Sequence, residues 1–102
     1  MSENPNGPIP DEDVDALRAR LIDADPADVV ANHAYGLFEL AAVYLSAVPP
    51  RLEEAQLAID GLSSLLEGVG GRLGASDAPL REGLAQIRLA WVQLSAAQAS
   101  DT

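Results

Sequence analysis

The sequence predicts an all-α fold: a small helical bundle of three long helices plus a short N-terminal helix, with an antiparallel C-terminal helical hairpin. Three observations predict it. Apolar residues recur three and four apart along four separate stretches, which is the spacing of one helix face. Asp-Pro, Pro-Pro and a cluster of glycines divide those stretches, where helices start and stop. No run alternates apolar and polar residues with the period of two that a half-buried strand needs.

The first ten residues carry three prolines, Gly7 and two asparagines, so residues 1–10 read as a disordered lead before a single helical domain at 11–97. Ordered structure is expected from Asp11. Asp11, Glu12, Asp13 and Asp15 crowd a helix start, while Arg18 and Arg20 fall near its end, the arrangement the helix dipole favours. Val14, Leu17, Leu21 and Ile22 form its apolar stripe.

Asp25-Pro26 is a restart signal, because Asp25 can cap free amides and Pro26 suits the first helical position. The second helix is expected to run to about Ala47. It carries two adjacent apolar stripes, Val30, Ala34, Leu37, Ala41, Tyr44 beside Val29, His33, Gly36, Leu40, Val43. Its only polar line is Asn32, Tyr35, Glu39 and Ser46. A helix this apolar on most sides needs covering by other helices, a second copy or lipid. Its length approaches the ~20 residues of a membrane span. Asn32, His33 and Glu39 within it, and the lack of flanking Arg or Lys, favour a buried helix in a protein with no membrane contact.

Pro49-Pro50 ends that helix. The third runs from Arg51 to about Gly68 on a seam of Leu52, Ala55, Ile59, Leu62, Leu66 and Val69. Gly61 inside it weakens the helix by ~1 kcal/mol relative to Ala, so a close helix approach is expected there. Gly68, Gly70, Gly71 and Gly74 make the break. The fourth helix opens near Ser76-Asp77-Ala78-Pro79 and repeats the seam with Leu80, Leu84, Ile87, Trp91 and Leu94. Residues 98–102 read as a frayed tail.

Glu53, Asp60 and Glu67 recur every seven residues on the third helix, and Arg81 and Arg88 do so on the fourth. A chain reversal at Gly74 brings Glu67 level with Arg81 and Asp60 level with Arg88, which predicts two structural ion pairs. The same reflection sets Leu62 between Leu84 and Ile87, and Ala55 between Trp91 and Leu94.

The chain of 102 residues has sixteen acidic residues and six basic ones, all Arg, for a net charge of −10. Direct nucleic-acid binding is thereby disfavoured, since a phosphate-contacting surface needs clustered cations. An unknown protein partner is left open, and a basic one fits the charge. With no Cys there is no disulfide, thiol nucleophile or thiolate metal site. MSENPNGPIPDED has neither a basic region nor an apolar run of a secretory signal, so the expected location is cytoplasmic. Abundant Ala, Arg and Gly without Lys fits a GC-rich bacterial genome, by composition alone.

Each candidate for chemistry has a simpler reading. Asp11, Asp13 and Asp15 open like a calcium loop, but Ala16 replaces the required Gly and Ile22 the bidentate Glu. His33, the sole histidine, suggests a phosphotransfer-like module as the alternative function; such modules flank their His with a Lys that this chain lacks. Its position on the apolar stripe favours a packed or interface role. Glu39 has no Glu-x-x-His partner of the kind a di-iron bundle needs. No enzyme chemistry, cofactor or metal is therefore expected.

From the third helix onward, Leu57-Ala58-Ile59-Asp60, Leu62, Leu65, Glu67, Gly71-Arg72-Leu73, Leu80, Leu84, Ile87-Arg88 and Trp91 resemble a small uncharacterised bacterial helical family, domain of unknown function 1844. The resemblance covers about the last half of the chain. Family members show a Lys-Thr pair and a Gly-Asn-Leu turn where this chain has Gly68-Val69 and Gly71-Arg72-Leu73. No activity is established for the family. The resemblance implies a helical fold and, from the gene surroundings of some actinobacterial relatives, a link to translation.

These readings combine into a non-enzymatic helical module that self-associates, as a homodimer, through the second helix. Val30, His33, Leu37, Leu40 and Tyr44 are its expected interface.

Overall fold

The computed structural model describes residues 11–100, with side chains from Asp13 onward, and every element in it is a helix. The lead at 1–10 and the last two residues of the tail lie outside the described residues. Helix α1 spans Asp11–Asp23, α2 Pro26–Ser46, α3 Leu52–Val69 and α4 Asp77–Ser100, with a 3₁₀ turn at Gly74–Ser76 before α4. The all-α bundle with its C-terminal hairpin is the fold. The fourth helix continues through Ser100, three residues into the stretch read as tail.

The punctuation residues act as their chemistry dictates. The Asp25 carboxylate accepts from the Ala27 amide at 2.9 Å while Pro26 takes the first helical position of α2. At the other end the Tyr44 carbonyl accepts from both Ala47 and Arg51 amides, which ties the Pro49-Pro50 link back onto α2. Gly70 closes α3 in the left-handed region at φ 57°, with its amide on the Leu66 carbonyl, a conformation that costs a glycine nothing. Arg72 folds over the same end, its guanidinium donating to the Val69 and Gly68 carbonyls.

Helices α2, α3 and α4 pack mutually around one core. Ala31, Ala34, Ala41 and Leu45 come from α2; Ala55, Ala58, Ile59, Leu62 and Leu66 from α3; Leu80, Leu84 and Ile87 from α4. Leu73 closes the bottom from the turn. The buried side of α2 is thus almost entirely alanine, the small side chains that let two helices lie close. Trp91 and Leu94 pack on the core's edge, and the Trp91 indole N–H donates to the Leu52 carbonyl at 2.9 Å.

The hairpin register follows the reflection about Gly74. Arg81 reaches the Leu66 carbonyl at 2.9 Å and Gln98 the Pro50 carbonyl at 3.4 Å, each pair nearly equidistant in sequence from that glycine. The charge pairing does not follow. Arg81 spans its own helix to Asp77 at 3.0 Å, and Arg88 donates to the Ser63 hydroxyl at 2.7 Å. Asp60 accepts from Gln56 instead, and neither Asp60–Arg88 nor Glu67–Arg81 is an ion pair. The acids lie on the outer side of α3, while Ser63 and the Leu66 carbonyl are what α4 faces. A seven-residue repeat sets the height of a residue on the hairpin but leaves its angle round the helix to packing.

The close approach expected at Gly61 occurs instead at Gly83. A Cβ built at Gly61 would meet Leu37 Cδ1 at 3.7 Å, an ordinary contact, so no close approach demands glycine there. At Gly83 it would meet Phe38 Cε2 at 3.0 Å, so that glycine makes room for the ring.

Helix α1 stands apart, packing on none of the other helices. Leu17, Leu21 and Ile22 are 47%, 54% and 81% exposed. The described residues accordingly have a radius of gyration of 18.2 Å, against about 13 Å for a compact chain of about that length.

Candidate functional site

The second helix meets neighbours on one side only. Helices α3 and α4 cover the alanine face and Phe38, and the polar line of Asn32, Tyr35, Glu39 and Ser46 faces solvent as expected. Between those two sides a strip of α2 carrying Leu37, Leu40 and Tyr44 remains beside α3. There it forms one wall of a groove of about 340 Å³, and Leu57, Ala58 and Gly61 form the other. Its lips are apolar and open: Leu40 is 42% exposed and Leu57 76%. Val43, one turn along from Leu40 on the same edge of α2, is 63% exposed.

Three of the five expected interface residues, Leu37, Leu40 and Tyr44, therefore come together in this groove. Val30 does not join them. It is half-buried, packs on the core and lines a separate cleft with Asp25, Arg72 and Leu73. His33 is exposed and lies outside the groove lining, with no hydrogen bond or ion pair among the described residues.

Half the groove comes from α3, and Leu57 is the residue that reading the seam passed over. It is a leucine off the three-four repeat of Leu52, Ala55, Ile59 and Leu62, and so had to point away from the core. Gly61 contributes by absence, since a helix without a side chain at that position leaves the floor of the groove on Leu37. Arg51 and Glu54 form an ion pair at the α3 entrance of the groove.

Among the described residues no three His, Asp or Glu side chains gather where they could hold a metal ion. Among the same residues no helix is long and apolar enough to cross a membrane. Comparison with known proteins returns no match: no family model fits the chain, and no curated protein or solved structure is significantly similar to it.

Proposed function

We propose that the protein is a non-enzymatic helical interaction module that forms a homodimer through the α2–α3 face. The observation that carries this reading is the groove of Leu37, Leu40, Tyr44, Leu57 and Gly61, apolar except for Glu54 at its α3 entrance, with exposed Val43 one turn beyond Leu40. Fully burying a Leu or Val side chain is worth about 1.5–3 kcal/mol. Leu40, Val43 and Leu57 leave enough of that unrealised in a single copy to support association. A thin core also gains from a second copy, because a chain this short buries only a modest share of its surface alone.

Light scattering at micromolar concentration tests the proposal. The expected result is a mass of two chains, falling to one chain in Leu57→Asp and Leu40→Asp with helicity retained, since Leu57 is 76% and Leu40 42% exposed in the isolated copy. A wild-type monomer of native helicity would refute it.

The surface also fits a basic protein partner, because the chain carries a net charge of −10. The family resemblance directs that reading to translation. Salt-dependent co-sedimentation with ribosomes tests it, and its absence at low salt removes it.

A further inference from the structure

We infer that α1 of one copy seats in the α2–α3 groove of a second copy, and reciprocally, so that the dimer forms by helix exchange. The inference rests on the homodimer proposed above and names what fills its interface.

The first support is that two unfilled apolar surfaces occur in one chain and cannot meet within it. Leu17 and Leu21 of α1 are exposed and pack on nothing, while Leu40 and Leu57 hold open an empty groove. Only Ala24 and Asp25 separate α1 from α2. Folded back along its own α2, α1 would place Leu21 and Leu17 beside the first turns of that helix. Val14 lies as far before the end of α1 as Tyr35 lies past the start of α2, so even Val14 would stop more than a turn short of Leu40. A chain's own α1 therefore does not reach the centre of its own groove. A second copy's α1 has no such tether.

Charge gives the second support. Arg51, Arg72, Arg81 and Arg88 are all engaged within the α2–α4 body. Arg18 and Arg20 have no side-chain partner among the described residues. Helical spacing puts them on opposite flanks of the Leu17–Leu21 stripe. The groove is bordered on its two outer sides by acids outside any ion pair: Glu39 on α2, and Glu53 and Asp60 on α3. Seating Leu17 and Leu21 against Leu40 and Leu57 thus carries one arginine toward each acidic border. Arg18 and Arg20 thus sit on the one described helix that packs on none of the others, and Glu39, Glu53 and Asp60, though not the chain's only unpaired acids, lie where those two arginines would arrive.

The chain has no cysteine, so introduced thiols report cleanly. Full-length Leu17→Cys protein is mixed with isotopically labelled Leu57→Cys protein and oxidised gently, and the mixed covalent dimer is quantified by mass. The reference is the same mixture with Val92→Cys, an exposed apolar position on α4. Helix exchange gives several-fold more mixed dimer with Leu57→Cys than with Val92→Cys. It also makes the Arg18→Glu, Arg20→Glu double variant dimerise about tenfold more weakly. Equal yields, with the wild type a dimer by light scattering, overturn the exchange and leave the dimer standing. Equal yields with a monomeric wild type overturn both.

Discussion

Leu62 and Leu57 are the same side chain on the same helix, five residues apart, and the structure assigns them opposite roles. Leu62 is fully buried within the α2–α4 core, and Leu57 is 76% exposed. Leu62→Ala removes buried methyl groups and leaves a cavity, which costs 2–5 kcal/mol in well-packed cores, the figure being about that size here. A domain of this size has roughly 5–15 kcal/mol in total. At the middle of both ranges the substitution takes about a third of the stability, and it lowers Tm by about 8 °C or more. Leu57→Ala loses little buried area, and its effect in a dilute single copy stays within about 0.5 kcal/mol. Urea titration followed by circular dichroism separates the two, run at a low and a high protein concentration. If the α2–α3 groove is an interface, Leu57→Ala gains a cost only at the higher concentration, where association stabilises the wild type. A Leu57→Ala loss equal to that of Leu62→Ala at high dilution would show that α3 is not turned as described, and the groove would go with it.

Gly61→Ala should stabilise the single copy by up to about 1 kcal/mol, because the added methyl meets only ordinary contact with Leu37; thermal unfolding at low concentration checks it. Gly83→Ala should give a smaller gain or a loss, since Phe38 must move aside. A double-mutant cycle on Asp60 and Arg88 should show no coupling, and one on Ser63 and Arg88 about 0.5 kcal/mol, matching the hydrogen bond that forms. Treatment with a small-molecule phosphodonor should leave no acid-labile phosphate on His33; a phosphorylated His33 would overturn the non-enzymatic reading. In dilute protein the amides of α1 should exchange fastest of the four helices, because a thirteen-residue helix without packing is marginal in water.

What could be read in the residues was set by how local its physics is. Asp25-Pro26, Pro49-Pro50 and Gly70 act on the backbone beside them, and each stops or starts a helix where it should. The Leu62, Leu66, Leu80, Leu84 and Ile87 seam was legible because every member lies on one face of its own helix. The height of α4 along α3 was legible too, from the symmetry about Gly74. Orientation between helices was not, and the misread details depend on it. Arg88 meets Ser63 because α4 lies over that side of α3, and no periodicity in either helix states this. Half the groove was legible through the excess of apolar residues on α2. The other half needed α3 placed beside it, so Leu57, a seemingly stray leucine, gained meaning only from its neighbour across the groove. Val30 and His33 share the helix face of the groove residues but lie one to two turns nearer the start of α2, and where the groove ends along that helix is set by α3, which no periodicity states.

The alanine face of α2 has a consequence for how this chain tolerates change. Ala31, Ala34, Ala41, Ala55 and Ala58 make up five of the thirteen buried apolar residues, and none loses side-chain freedom on folding. Where these alanines meet, the α2–α3 contact therefore holds its geometry at little entropic cost, and truncation has almost nothing to remove at those positions. Its weakness is enlargement: Ala34 and Ala55 are fully buried, so a Val or Leu at either would push the helices apart and strain both backbones, at about 1–3 kcal/mol. Sequence drift at the α2–α3 contact is accordingly bounded from above in volume. At the leucine and isoleucine positions that α4 covers, it is bounded from below.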